Sequence, residues 1–191
     1  MNGDLSFHFT FVFPIPYRLY SPSMEATFLK FSADKLDQLA ARIQVCLQKL
    51  DEDQIWMRGS ENQNAIGNLV LHLCGNMRQW IIAKIGGQTD ERSRDAEFAA
   101  RGGMTIPELA AHLRANVSQA VEILRTLPPH RLAERVRVQA YEVTVLEAIY
   151  HVVEHFAQHT GQILFAAKLH TGEDLGFYKH LNKPSHGEKT P

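Results

Sequence analysis

The sequence is poor in the features that mark a disulfide scaffold, a membrane protein or a nucleic-acid binder. Only two cysteines, Cys46 and Cys74, occur in 191 residues. Each sits inside an apolar helical pattern, so reduced, buried thiols are expected rather than a disulfide framework. No apolar run approaches the ~18–20 residues that a membrane span requires. The N-terminus has neither the basic region nor the unbroken apolar stretch of a signal peptide, and a cytoplasmic protein is expected. Neither sign of charge predominates: 20 Lys and Arg against 21 Asp and Glu leave a formal net charge of −1. That balance offers no footprint for nucleic acid or an anionic membrane. Arg131, Arg135 and Arg137 do cluster, but beside Glu134 they read as a solvated face.

Several chemical signatures are missing as well. There is no Glu-x-x-His step, which argues against a di-iron carboxylate bundle. There is no His-Glu-x-x-His of a zinc protease, no paired cysteine ligand set and no glycine-rich phosphate loop. No internal repeat or low-complexity block is found.

What remains is a chain of ordinary globular composition, 45% hydrophobic and 21% charged, whose length suits one domain. Residues 1–23 stand apart. Phe7, Phe9, Phe11 and Phe13 alternate with a strand-like period of two, and Pro14, Pro16 and Pro22 break any continuation. This reads as an extension outside the core or as a misassigned start, with Met24 the alternative.

From Met24 onward the pattern is helical. Phe28, Phe31, Leu36, Leu39, Ile43, Cys46, Leu47 and Leu50 recur at spacings of three and four. Asp51 to Asn62 reads as a connection. A second helix is expected from about Asn64 to Ile85, ended by Gly86-Gly87, followed by a charged loop from Thr89 to Gly103. Thr105 caps a third, with Pro107 in its first turn, running to Leu127. Arg135 to Val143 is β-prone and suits a short extended excursion. Thr144 and Glu147 have the spacing of a capping box for a fourth helix that runs to about His170, with Gly172 as its C-cap. Four helices of ~20 or more residues imply an all-α, antiparallel four-helix bundle over residues 24–182, with 183–191 a polar tail.

The chemistry concentrates in HVVEHFAQHTGQ, His151 to Gln162. At roughly 100° per residue, the apolar stripe of this helix is centred on Ile149, Phe156, Ile163 and Ala167. His159 lies nearest its edge, His155 slightly farther out and His151 farther still. Residues i and i+4 share a face, so His155 and His159 could share one ion. Alone, the pair fits a hydrogen-bonded helix face equally well, and His151 reads as a rim residue. In NLVLHLCGNMRQW, His72 lies beside Asn68, Asn76 and Gln79 on a flank of the second helix. It is either a structural histidine or, if the bundle brings it opposite the pair, a third imidazole ligand. Three such ligands would leave a coordination position open, as in catalytic zinc sites. Cys74 points elsewhere and His112 reads as structural, while His8, His180 and His186 lie in segments expected to be mobile.

NLVLHLCGN together with EHFAQHTGQI resembles the DinB-like superfamily, the four-helix bundles that include YfiT-type metal-dependent hydrolases. The likeness spans residues 25–182. It is closest to an uncharacterised subgroup that also carries RSRDAEF, Arg92 to Phe98, and a segment like DLGFYKHL, Asp174 to Leu181. The resemblance implies a divalent metal on His72, His155 and His159. It also implies either hydrolysis or transfer of a low-molecular-weight thiol to a small-molecule substrate, and homodimers are plausible for such bundles. Imidazole ligands suit zinc first, with nickel or iron as alternatives. Asn76 and Gln162 could support the ligands from behind. Arg94 and Asp95 could bind an anionic substrate, or the segment could instead be pinned by an internal salt bridge. A non-catalytic metal- or ligand-binding bundle is the other class of protein these residues allow, and a structural bundle with merely hydrogen-bonded histidines is the third.

Overall fold

In the computed structural model, residues 22–182 are described. The alternating phenylalanines of residues 1–21 and the polar tail 183–191 lie outside them. Four long helices carry the fold: α1 (Met24–Leu47), α3 (Ile66–Met77), α5 (Ile106–Thr126) and α6 (Val145–Thr171). α3 continues without a break into a π-wound segment, Arg78–Ile85, in which the Gly86 amide reaches back five residues to the Ile81 carbonyl. Two short helices, α2 (Glu52–Trp56) and α4 (Arg94–Ala99), lie in the segments that read as connections in the sequence. β1 (Arg135–Val138) and β2 (Tyr141–Thr144) form the extended excursion as an antiparallel hairpin that leads straight into α6.

The ends of the helices follow their sequence signals. Thr105 and Thr144 each accept from the backbone three residues on, while Glu108 and Glu147 reach back to close capping boxes. Gly172 takes the left-handed conformation, φ 68°, that lets α6 stop there. Gly86 is tight for another reason. A Cβ at that position would run into the Ile123 side chain and the Ile82 carbonyl.

Within the bundle, α1 packs on α5 and α6, and α3 packs on the same two, so α1 and α3 are diagonal. Side-chain pairs give the directions. Gln44 donates to the Ala110 carbonyl while Arg125, at the far end of α5, reaches Asp37, so α1 and α5 run antiparallel. Lys49 and Glu173, each just past a helix end, pair with one another, so α1 and α6 run parallel. His72 faces His155 while Trp80, farther along α3, stacks on His151, so α3 and α6 run antiparallel. The expected all-α bundle is therefore present in an up-down-down-up arrangement, with antiparallel pairs α1/α5 and α3/α6.

The core is apolar and continuous. Leu36, Ile43 and Leu47 of α1 meet Leu73 and Met77 of α3, Leu109 and Leu113 of α5, and Ile149, Phe156 and Ile163 of α6. The stripe read from the α6 sequence is thus the buried one. Among the described residues, no helix is long and apolar enough to cross a membrane.

Three substitutions test this account by denaturant unfolding. Phe156→Ala, at a fully buried position, should cost about 3–5 kcal/mol. Thr144→Ala removes a capping oxygen and should cost about 1 kcal/mol. Gly161 is an exposed mid-helix glycine, and a Cβ added to it would meet only open space. Gly161→Ala should therefore raise stability by roughly 0.5–1 kcal/mol.

Candidate metal centre

His72 projects from the middle of α3, and His155 and His159 from successive turns of α6. The antiparallel contact of the two helices brings the rings together. His155 Nε2 lies 3.0 Å from His72 Nε2 and 3.1 Å from His159 Nε2. One nitrogen from each ring falls within 4.8 Å of the others, a cluster with the composition and spacing to hold a metal ion.

The outer nitrogens show which way the lone pairs point. His72 Nδ1 lies 2.9 Å from Glu97 Oε2. An ionised carboxylate only accepts, so this nitrogen carries the proton and Nε2 presents its lone pair inward. His159 Nδ1 lies 2.6 Å from Gln162 Oε1, with the same consequence. Two inward lone pairs therefore flank His155 Nε2, and either one proton shared between them or a cation can occupy the space among the rings. His155 Nδ1 is buried without a partner. Burial, then the crowding of His159, His72 and His151, which disfavours a further proton, and the Arg92 charge push His155 down to about 3. Burial also lowers His159, against the raising effect of Gln162. His155 and His159 are thus held toward the neutral imidazole, the form that binds a divalent ion.

Glu97 is held in turn. Burial would raise its carboxyl, but hydrogen bonds from Arg92 and His72, and the Arg92 charge, outweigh that and keep its pKa below the usual range. Arg92 donates to both carboxylate oxygens at 2.8 and 2.9 Å, a bidentate clamp, and to Gln79 Oε1 at 3.1 Å. Gly75 makes room for this arrangement, since a Cβ there would overlap Glu97 Oε1 and crowd Arg92 Nε. The other end of α4 is fixed by buried Asn68, which donates to the Glu97 and Ala100 carbonyls and accepts from Arg58. Arg58 itself donates to the Phe98 and Ala100 carbonyls.

Beside the histidines opens a cavity of about 410 Å³, lined by His72, His155 and His151, by Asn76, Trp80, Arg92 and Arg94, and by Gln139, Tyr141, Val143 and Glu147. The hairpin supplies one wall. Tyr141 and Val143 share a face of β2, as residues two apart do, and Gln139 at the turn donates to Gln79 at 2.8 Å.

The residues that the sequence singles out fall as follows. His72, His155 and His159 come together. His151 is on the cavity wall, its ring 4.5 Å from that of Trp80 and 5.6 Å from that of His155. Gln162 supports His159, as its spacing suggests. Asn76 does not support His72. Its Oδ1 is buried without a partner, and the role falls to Glu97 because α4 comes closer to Nδ1 than the next turn of α3 does. Arg94 reaches the cavity, whereas Asp95 is exposed and outside the lining. The internal salt bridge expected within RSRDAEF is present between Arg92 and Glu97, which the sequence does not single out by number, while Arg58 and Trp80 are site residues that it misses. The motif RSRDAEF does contain Arg92 and Glu97, but a spacing of five matches no helical ion pair, and only the turn into α4 at Ser93 brings them together. Cys74 is buried beside the site, its thiol raised by burial and then by Glu97, so core packing accounts for it.

No curated protein matches the chain. Among solved structures, it is similar to a DinB-like protein of Bacillus subtilis, YjoA, with a TM-score of 0.55 and 17% identity over 82% of this chain and 98% of that one. At that identity the likeness shows the fold. A family described as "Protein of unknown function (DUF1572)" matches residues 23–183, nearly the whole described chain. The chain belongs to this DUF1572 family and has the DinB-like fold.

Proposed function

We propose that this protein is a cytoplasmic metal-dependent enzyme acting on a small molecule, a hydrolase or a thiol S-transferase. His72, His155 and His159 would hold the divalent ion, zinc in preference to nickel or iron. The observation that carries this reading is the convergence of three imidazole donors at the side of an open cavity. Bound there, the ion would supply Lewis acidity that favours the deprotonated form of water or of a low-molecular-weight thiol.

The chain's own residues do the rest. Glu97 and Gln162 keep the outer imidazole nitrogens protonated and the inner ones free, which fixes tautomer and ring orientation. Arg92 holds Glu97 ionised in a buried place. Trp80, Tyr141 and Val143 form an apolar wall that limits water at the substrate's side. Both nearby carboxylates are already engaged. Glu97 is clamped by Arg92, and Glu147 accepts from the backbone and hydroxyl of Thr144. This favours a nucleophile activated by the ion over one activated by a carboxylate. A role in holding metal alone would not need an open, partly apolar cavity beside the donors, and that cavity favours a site that also takes a small molecule.

Untagged wild-type protein should carry about one equivalent of divalent metal by elemental analysis, and His155→Ala and the His72→Ala/His159→Ala double variant should carry none. Retention by the double variant would remove this site from consideration. His151→Ala should keep its metal, because that ring lines the wall and not the cluster. Glu97→Gln weakens the support of His72 and leaves the Arg92 charge unpaired, so chelator competition should show metal binding weaker by ~10–100-fold. Gly75→Ala, which displaces Glu97 by sterics alone, should act in the same direction. Turnover is tested with a panel of cellular thiols and an aryl chloride electrophile, where thiol-dependent chloride release above the His155→Ala background is expected.

A further inference from the structure

Arg94 differs from every other charged group around the cavity. Arg92 is neutralised by Glu97, and the Glu147 carboxylate is turned to the amino end of α6. His151 is engaged with the Trp80 ring, 4.5 Å between centroids. Arg94 is exposed at the cavity and lies over the Phe98 ring, 4.9 Å from its centroid. Among the described residues no carboxylate lies within ion-pairing distance of it. The contact with the ring takes up none of the guanidinium's N–H groups in hydrogen bonds, and these match a carboxylate in a two-pronged contact.

The position of Arg94 is also fixed relative to the histidines. It is three residues from Glu97 on α4, and Phe98 beneath it stacks in turn on His72, ring centroids 4.6 Å apart. The same short helix that orients His72 thus carries the cation. Opposite, Trp80, Tyr141 and Val143 present an aromatic and aliphatic wall. The cavity therefore offers three kinds of contact at once: imidazole donors on one side, an apolar wall, and a cation without an acidic partner.

We infer that the cavity takes a small carboxylate with an apolar or aromatic body, its carboxylate held by Arg94 and its body against Trp80 and Tyr141. This rests on reading the cavity as the substrate site and deepens the proposed function by naming the substrate class. A volume of about 410 Å³ is in the range of small-ligand sites and suits a molecule of this size.

The test uses phenylacetate and its neutral isostere phenylacetamide as probes, with binding read from tryptophan fluorescence, since Trp80 lines the cavity. Each is titrated into wild-type protein and into Arg94→Gln and Arg94→Lys, both as purified and after chelator treatment, with metal content measured on the same samples. Wild type should bind phenylacetate about tenfold more tightly than phenylacetamide. Arg94→Gln should abolish that preference at unchanged metal content and unchanged melting temperature, and Arg94→Lys should restore only part of it. The preference should survive chelator treatment, because Arg94 and not the ion reads the carboxylate. Equal affinity of the two probes for wild type would overturn the inference. A preference kept in Arg94→Gln but lost on chelation would overturn it too, by placing the carboxylate on the metal. Wild type that is metal-free as purified and still prefers phenylacetate through Arg94 would support the inference while contradicting the proposed metal chemistry, so the two fail separately.

Discussion

The pairing of Glu97 with Arg92 and His72 is the constraint around which the site is built. A carboxylate carried into the side of a helical bundle is costly unless its charge and lone pairs are met. Here Arg92 meets both oxygens and His72 Nδ1 adds a further donor. Several features follow from it. α3 carries glycine at position 75, where any side chain would occupy the carboxylate's place. α4 has to lie against α3, and Asn68 and Arg58 anchor its far end through backbone carbonyls. His72 is left with one tautomer and one ring orientation. A buried charge here gives position rather than net stability, and the position it gives is that of the His72 ring within the three-histidine cluster.

The other two donors depend on a different rule. α6 is a long, well-capped helix whose apolar stripe, Ile149, Phe156, Ile163 and Ala167, is buried to completion. That burial fixes its rotation and so places His155 and His159 at the edge of the core, between dry interior and open cavity. Full burial would leave no room for substrate, and full exposure would leave the imidazoles free to protonate and move. The hairpin before α6 and the π-wound end of α3 then close the remaining sides, with Gln139, Gln79 and Arg92 linking them by hydrogen bonds. Rigid helices thus carry the three donors, while the short elements between them shape the space where chemistry would occur.

The periodic parts of this molecule are legible in the sequence. The apolar repeats, the Thr-x-x-Glu caps and the glycine stops of α3 and α6 are local signals, and a helix rotated by its apolar stripe predicts which histidines share a face. His72 by itself reads as either a structural histidine or a third imidazole, and the resemblance to the DinB-like superfamily is what selects it as the third member. The connections are not legible. α2 and α4 are short, and α4 exists because of buried tertiary hydrogen bonds from Asn68 and Arg58 rather than any repeat. For the same reason Glu97, which supports His72, is hidden inside a motif whose exposed members, Arg94 and Asp95, draw attention first. Asn76 shows the converse error: correct spacing on the same helix does not make a hydrogen bond when another element lies closer. The up-down-down-up order of the helices is likewise not legible, because the length of the connections permits it without dictating it.

The central claim is that these three imidazoles, and no other side chains, present their inner nitrogens to one divalent ion with a position left for an outside ligand. X-ray absorption spectroscopy at the metal edge of the as-purified, untagged protein addresses it most directly. The account predicts a coordination shell containing three imidazoles and at least one light-atom ligand from solvent, with a sulfur scatterer replacing the latter when a small thiol is added. A shell with fewer than three imidazoles, or one already closed by protein ligands and unchanged by thiol, would contradict it.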